Sequence, residues 1–329
     1  MSEEADWQDP LPHAHGPTIL VRLSGGKWSR ELSAPVGVVL IHGRNETPKP
    51  MMDMFCTLLK EGLREEKVEE VAVLPKEDEE QAVVGKEKRE EKALWIEAVG
   101  AARDWWYPDA HSVTDEKMIA KNAPFIFSAL QRIVDAMKDL NKRGVPNDRI
   151  VLVGFSQGAN LLNTYTLVLL REHVTSSLAT ELLPVPRHIF PLAGSRFKVV
   201  SPFPFRPDHS RFSAPVQVKA NHQTSRLKHS IANANANANA DAAARRKQIN
   251  LESSLMCGTK DVRFSVQMMK DVLSDLRQAA ASHESSEGPL RATFSLEFDQ
   301  DQPHIITDKM KGAVLEGVRN IGSSDQQTG

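Results

Sequence analysis

Several features common in other protein classes are scarce in this sequence of 329 residues. It has only two cysteines, Cys56 and Cys257, which is too few for a disulfide framework. No apolar run approaches the roughly 18–20 residues that a membrane-spanning helix needs. The formal net charge is −2, so the charge balance gives no reason to expect a nucleic-acid partner. We therefore expect a soluble, cytoplasmic protein with no transmembrane segment.

The amino-terminal stretch MSEEADWQDPLPHAHGP also lacks the basic start and apolar centre of a secretion signal. Residues 1–17 are accordingly predicted to be a poorly ordered tail. Two histidines in this tail could suggest a metal site, but no further pattern of metal ligands accompanies them. We expect neither a metal nor a cofactor.

Short apolar runs alternate with helical patterns from residue 36 onward. Such runs predict strands that are buried on both faces of a sheet. One segment, ATFSLEFDQ, alternates apolar and polar residues instead, which predicts a strand near the sheet edge. The pattern as a whole predicts an α/β fold with a mostly parallel central sheet and helices on both faces. The inner runs are VGVVLIHG (36–43), ALWIEAV (93–99), RIVLVGF (149–155) and RHIFPLAG (187–194).

Two segments interrupt this alternation, and we interpret both as surface insertions in a single domain spanning residues 1–329. Residues 64–92 are dominated by Glu and Lys and offer little apolar surface to bury. Within them, VEEVAVL at 68–74 competes with ALWIEAV for the place of an inner strand. Residues 195–250 contain the low-complexity tract ANANANANADAAARR, which cannot form a specific core alone.

The most informative stretch is GFSQG, where a predicted buried strand meets a predicted helix. Chemistry in parallel sheets gathers at the carboxyl ends of the strands, which is where Ser156 falls. A sharp strand-to-helix reversal crowds the backbone, so the two flanking glycines suit a turn that projects a serine hydroxyl. The alternative is an ordinary turn whose serine caps the helix. The strand and helix context favours a nucleophile.

A serine hydroxyl needs an aligned base, and in such folds the order along the chain is serine, acid, histidine. His304 lies just past the predicted edge strand, on a loop before the last helix, and we predict it to be the base. The other downstream histidines fall in helices, at strand starts, in the insertion or in a polar linker. They are His173, His188, His209, His222, His229 and His283.

The predicted acid is Asp261, in the segment LMCGTKDVRF. It follows a predicted strand directly, and its loop position suits an acid that orients the histidine. Asp299 and Asp301 compete for this role, but their proximity to His304 in sequence is more typical of loop solvation. Asp271 and Asp275 belong to the following helix.

Negative charge on a tetrahedral intermediate needs N–H donors that are already in place. The N–H of Gln157, at the helix start, is one candidate for this oxyanion hole. The N–H of Arg44, in the loop LIHGRNE after the first inner strand, is the other. We interpret His42 in that loop as a structural histidine that bonds backbone groups.

With these residues identified, the chain resembles the phospholipase/carboxylesterase family of α/β-hydrolases, which includes the acyl-protein thioesterases. The closest likeness is to its short-chain carboxylesterase branch. Six segments carry the resemblance in the family's order, across roughly 36–194 and 251–320. They are VVLIHGR, WWYP, RIVLVGFSQGA, PLAGS, CGTKD and HIITDKM.

The resemblance implies a serine hydrolase that cleaves short- or medium-chain carboxylic esters with a Ser156–Asp261–His304 triad. It also implies a pocket near Trp106 and Tyr107. The alternative is that these aromatics pack beneath a loop, but their place between a strand's carboxyl end and a helix favours a pocket wall. Alternative substrates are acyl-protein thioesters and lysophospholipids, and a binding module without turnover is a further alternative. In each case the expected partner is a small-molecule ester or acyl thioester. The sequence leaves the oligomeric state open.

The loops depart from the family pattern at several points. Asn45 and Glu46 follow Arg44 where the family often has glycine, and Pro303 precedes His304. Val262 follows Asp261 where the family commonly has Asp-Pro or Val-Pro around its acid. These changes concern loops around the pocket, so they affect the predicted substrate choice more than the reaction type.

Overall fold

The fold is an eight-stranded sheet flanked by five helices within the described part of the chain. The computed structural model describes residues 19–23, 35–44, 46–63, 73–74, 94–99, 105, 116–175, 183–196, 249–284 and 290–323. The strands are β1 (Ile19–Leu23), β2 (Val36–Ile41), β3 (Val73–Leu74), β4 (Leu94–Val99), β5 (Ile150–Phe155), β6 (His188–Leu192), β7 (Ile249–Gly258) and β8 (Leu290–Asp299). The helices are α1 (Pro48–Leu63), α2 (Glu116–Lys142), α3 (Gln157–Thr175), α4 (Val266–Glu284) and α5 (Asp308–Ser323).

The strand order across the sheet is β3-β1-β4-β2-β5-β6-β7-β8. From β4 to β8 all neighbours are parallel, whereas β1 pairs antiparallel with both β3 and β4. The prediction of a mostly parallel sheet is therefore confirmed. Because the parallel strands share one direction, their carboxyl ends lie along a single edge of the sheet.

Burial along each strand follows from its place in the sheet. Every residue of β2 and β5 is buried, as expected for inner strands with helices on both faces. Strand β8, at the edge, alternates exposed and partly buried residues along its length. The inner and edge strands predicted from these patterns are confirmed.

Helices cover both faces of the sheet, which confirms that prediction as well. Helices α2, α3 and α4 pack with Val39 and Ile41 in one apolar cluster. Helices α1 and α5 pack with Val38 and Leu40 in a second cluster. Successive residues of β2 thus point into opposite layers, as the two-residue period of a strand requires.

The predicted insertions lie largely outside the described residues, and their boundaries need two corrections. Val73–Leu74, inside the segment predicted to be charged and solvated, forms β3 and pairs with β1. The inner strand is Leu94–Val99, whereas Val73–Leu74, the described part of the competing segment VEEVAVL, lies at the sheet edge. Strand β7 begins at Ile249, so its first two residues fall within the predicted second insertion. A single domain over 1–329 stays a prediction, as does the tail at 1–17.

Among the described helices, none combines the length and the apolar character that crossing a bilayer demands.

Candidate active site

Ser156 lies at a sharp turn between the carboxyl end of β5 and the first residue of α3. Its φ is 54°, in the left-handed region that a non-glycine residue rarely adopts. The Ser156 N–H donates to the carbonyl of Leu192 at 3.0 Å, and the Ser156 carbonyl accepts from the Asn160 N–H at 3.0 Å. These two bonds tie the turn to β6 and to the first turn of α3. The strained backbone is therefore fixed from both sides.

The glycines flanking Ser156 are required by close backbone contacts. A Cβ on Gly154 would lie 2.5 Å from the carbonyl oxygen of Gly158. A Cβ on Gly158 would lie 2.1 Å from the carbonyl oxygen of Ile41, at the end of β2. Neither position has room for a side chain, so the turn packs directly against the neighbouring strand. This contact brings the loop after β2 close to Ser156.

The structure brings Ser156, His304 and Asp261 together from three separate loops. His304 Nε2 lies 2.9 Å from Ser156 Oγ, and His304 Nδ1 lies 2.7 Å from Asp261 Oδ2. Both distances are those of hydrogen bonds, so one imidazole joins the hydroxyl to the carboxylate. All three side chains lie beyond the carboxyl ends of the parallel strands β5, β7 and β8.

Close contact between two loops sets the spacing of Asp261 and His304. The Thr259 N–H donates to the Asp299 carbonyl and the Lys260 N–H donates to the Gln302 carbonyl, each at 3.0 Å. A Cβ on Gly258 would lie 2.1 Å from the Gln302 carbonyl oxygen, so glycine permits this approach. The acid loop and the histidine loop are thus held together by the extension of the β7–β8 pairing.

Asp261 is buried, with 5% of its surface exposed, yet its environment favours the ionised form. Burial alone raises the pKa of the carboxyl. The hydrogen bond with His304, the N–H of Phe264, the charge of His304 and the N–H of Arg263 outweigh burial and lower that pKa below its usual value. Asp261 Oδ1 accepts from Arg263 N–H at 2.8 Å and from Phe264 N–H at 3.0 Å. The carboxylate can therefore remain charged beside the imidazole.

Cys257 lies next to this carboxylate, where its surroundings favour the protonated thiol. Burial raises the pKa of its thiol to about 12, and the negative charge and hydrogen bond of Asp261 act in the same direction. Its Sγ lies 3.2 Å from the carbonyl oxygen of Phe264 and 3.9 Å from Asp261 Oδ2. The thiol is a weak donor that packs against the acid loop.

The two predicted oxyanion donors come from different elements. Gln157 is the first residue of α3, so its N–H has no partner within that helix. Arg44 is exposed on the loop after β2, and the neighbouring Gly43 N–H donates to Glu46 Oε2 at 2.9 Å. Glu46 therefore fixes the loop that carries Arg44. This is a structural role for one of the residues that depart from the family pattern.

The buried residues around His42 form a network that joins this loop to α3. His42 Nδ1 lies 2.7 Å from the Gly43 carbonyl oxygen, in keeping with a histidine that bonds backbone groups. Trp105 Nε1–H donates to the His42 carbonyl at 2.9 Å, and the Trp105 N–H donates to Gln157 Oε1 at 3.0 Å. Trp105 thus ties together the two segments predicted to supply the oxyanion donors.

The predicted pocket residues, Trp106 and Tyr107, lie outside the described residues, so their role stays a prediction. Their neighbour Trp105 is 4% exposed and belongs to an apolar cluster, which identifies it as a packed aromatic. Within the described ranges no group of His, Cys, Asp and Glu side chains is arranged to hold a metal ion.

Sequence reasoning missed two groups of residues near the site. Phe155 and Phe264 both contact the ring of His304. Asn160 accepts a hydrogen bond from the Ser195 N–H through its side chain, and Asn163 Nδ2 donates to the Ser195 carbonyl at 2.6 Å. These asparagines hold the loop after β6 against α3. In the sequence, the only indication of this role is the place of both asparagines within GFSQGANLLN, and that place does not identify Ser195 as their partner.

A family model described as phospholipase/carboxylesterase matches residues 96–200, about a third of the chain. The resemblance predicted from the motifs is thereby confirmed. The matched range includes β5, the Ser156 turn and α3. Among curated protein sequences, none matches this chain.

Several solved structures are similar to this chain over most of its length. One is a phospholipase/carboxylesterase from Dyadobacter fermentans, with 16% identity, a TM-score of 0.50, and 93% of this chain and 98% of that chain covered. A Bacillus cereus carboxylesterase has 11% identity and a TM-score of 0.43, covering 92% and 93%. SOBER1 from Arabidopsis thaliana has 12% identity and a TM-score of 0.45, covering 88% and 99%. The first of these supports the α/β-hydrolase fold.

Proposed function

We propose that this chain cleaves carboxylic esters through an acyl-enzyme formed on Ser156. Its family match and its fold support an ester hydrolase of the α/β-hydrolase superfamily. The observation that carries the proposal is the continuous hydrogen-bonded line from Ser156 Oγ through His304 to Asp261. A nucleophile, a base and a group that orients the base are the three parts that acyl transfer needs. We further propose short- or medium-chain acyl esters as substrates.

In the first step the Ser156 oxygen attacks the ester carbonyl while its proton passes to His304 Nε2, 2.9 Å away. The imidazole becomes an imidazolium, and Asp261 stabilises it through Nδ1 without taking its proton. The carbonyl oxygen becomes an oxyanion. When the tetrahedral intermediate collapses, the bond to the alcohol oxygen breaks and His304 returns its proton to that oxygen.

Two backbone N–H groups are proposed to hold the oxyanion, those of Gln157 and Arg44. The Gln157 N–H lies at the start of α3, where the helix dipole also favours negative charge. The Trp105 and Glu46 hydrogen bonds described above keep the two segments in a fixed relation before the substrate arrives. Donors that are fixed in advance need no rearrangement as the charge develops.

Water then attacks the acyl carbonyl on Ser156, with His304 acting again as the base. The products are a carboxylic acid and the regenerated serine hydroxyl, so the sequence of steps needs no cofactor. The same steps would cleave an acyl thioester or a lysophospholipid. A set of substrates with graded acyl length, offered as oxygen esters and as thioesters, distinguishes these proposals by their kcat/KM values.

The test is Ser156→Ala with a p-nitrophenyl ester as substrate. We expect turnover to fall at least about 1,000-fold while the circular dichroism spectrum stays unchanged. Ser254→Ala is the matched control, because Ser254 Oγ also lies 2.9 Å from a histidine, His188. That pair lies near the amino end of β6, away from the proposed site. Full turnover by the Ser156 variant would contradict the proposal, whereas a folded wild-type protein without turnover would favour a binding module.

A further inference from the structure

Two phenylalanine rings contact the imidazole of His304. The Phe155 centroid lies 4.9 Å from that of His304, with 26° between the ring planes. The Phe264 centroid lies 5.3 Å away, with 43° between the planes. Both phenylalanines are buried, and the His304 side chain is only 12% exposed. Protein atoms, including two aromatic rings, therefore cover most of the imidazole.

Phe155 is held by the strand that carries Ser156. It is the last residue of β5 and pairs with Leu192 of β6. A Cβ added to Gly43 would lie 3.1 Å from Phe155 Cδ1, so the ring also packs closely against the loop after β2. The Phe155 ring thus has little room to move away from His304.

Phe264 is held by the loop that carries Asp261. The Phe264 N–H donates to Asp261 Oδ1 at 3.0 Å, and its carbonyl oxygen lies 3.2 Å from Cys257 Sγ. The carboxylate that binds the imidazole therefore also fixes the residue whose ring contacts that imidazole. Asp261 and Phe264 act on His304 as one rigid unit.

We infer that Phe155 and Phe264 are positioning residues that orient the His304 ring and stabilise its imidazolium form during acyl transfer. The inference rests on the proposed function. One hydrogen bond, donated by His304 Nδ1–H to Asp261, fixes a single ring nitrogen but does not by itself fix the plane of the imidazole. Contact with two packed aromatic rings restricts the plane, which keeps Nε2 directed at Ser156.

The charge on His304 adds a second effect. The face of a phenyl ring is electrically negative, so it attracts a cation at the distances seen here. His304 carries the additional proton only while the tetrahedral intermediate forms and collapses. An interaction that strengthens only at that stage raises kcat and leaves KM nearly unchanged.

The first experiment replaces Phe264 with Leu, which keeps an apolar side chain but removes the π face. We expect kcat to fall about 3- to 30-fold and KM to stay within about twofold. Phe264→Tyr keeps the ring and is expected to retain most of kcat. The matched control is Phe190→Leu, which removes an aromatic contact on His188, a histidine outside the proposed triad, with centroids 4.0 Å apart and 11° between the planes.

The second experiment separates charge stabilisation from packing. Incorporating phenylalanine with one, two and three ring fluorines at position 264 withdraws negative charge from the π face while nearly preserving its size. We expect kcat to fall stepwise with fluorine number at constant KM. Equal kcat across the series, or an unchanged kcat in Phe264→Leu, would overturn the inference. An inactive wild-type protein would instead overturn the proposed function on which the inference rests.

Discussion

Asp261 uses each of its carboxylate oxygens for a different task. Oδ1 accepts two backbone N–H groups of its own loop, and Oδ2 accepts from His304 Nδ1. The first task shapes the loop and the second sets the tautomer of the imidazole. With Nδ1 carrying the hydrogen, Nε2 is left with a lone pair facing Ser156 Oγ. In the proposed mechanism, Asp261 thus determines whether His304 can act as a base.

The variant Asp261→Asn is expected to separate these two tasks. The amide oxygen can still accept the two loop N–H groups, so the fold is retained. The amide NH2 group would face Nδ1 and favour the hydrogen on Nε2, which can no longer take the serine proton. We expect kcat to fall by roughly 1,000- to 10,000-fold at neutral pH with little change in KM. Steady-state kinetics on a chromogenic ester measures this effect.

Asp301→Asn is the control for that variant. Asp301 lies on the adjacent loop, is exposed, and pairs with Lys260 at 3.0 Å. Its φ of 58° is one that asparagine tolerates well, so the backbone should not change. We expect normal kcat. If Asp261→Asn also retained normal kcat, the role assigned to Asp261 would be wrong.

Among the elements, helix α2 is followed by a glycine that ends it. Gly144 has a φ of 87°, its N–H donates to the Asn141 carbonyl at 2.9 Å, and the Val145 N–H donates to the Leu140 carbonyl at 3.1 Å. Pro146 follows and cannot continue the helix. These bonds satisfy carbonyls at the end of the helix.

Gly144→Ala is expected to destabilise the protein by about 1 kcal/mol, because alanine is strained at positive φ. The cost is conformational, since an added Cβ meets no atom within 4 Å. Gly312→Ala is the matched control. Gly312 lies inside α5 with the same open surroundings, so alanine there should stabilise by about 0.5–1 kcal/mol. Urea denaturation measures the change in the free energy of unfolding for each variant. If both substitutions stabilised the protein, or both destabilised it, the role assigned to Gly144 at the end of α2 would be wrong.

Elements whose signals lie close together in sequence could be predicted. The end of α2 depends on neighbouring residues, and the Ser156 turn depends on glycines two positions away on each side. The contacts of Phe155 and Phe264 with His304 could not be predicted, because they join loops that are distant in sequence. Local patterns identify which loops carry chemistry but do not show which aromatic side chains meet there.

For the whole molecule, the parallel sheet brings Ser156, Asp261 and His304 together, and a second histidine, His188, lies partly buried near the amino end of β6. Burial lowers the pKa of His188 to about 4, and the charge of Arg187 acts in the same direction. Glu252 lies 3.6 Å from His188 Nδ1 and would favour protonation, but its carboxylate also pairs with Arg187 at 2.5 Å. Burial and the charge of Arg187 therefore outweigh Glu252, and the pKa of His188 is lowered.

The lowered pKa of His188 predicts that the protein loses stability in mild acid. This pKa is about 4 in the folded protein and 6.5 when unperturbed, so the unfolded chain binds the proton more readily between those values. The free energy of unfolding should fall as pH drops through this window, with His188 contributing about 2 kcal/mol between pH 7 and pH 5. Urea denaturation at both pH values measures the fall. His188→Gln should reduce the fall by that amount, and an unchanged fall in this variant would contradict the prediction.

The central claim is that the fold activates Ser156 as a nucleophile. The most direct measurement is reaction of the folded protein with a fluorophosphonate, followed by peptide mass spectrometry. The account predicts one covalent adduct, on the peptide containing Ser156, and its loss in His304→Ala because the base is then missing. A folded wild-type protein that gains no adduct on Ser156, under conditions that label a known serine esterase, would contradict the account.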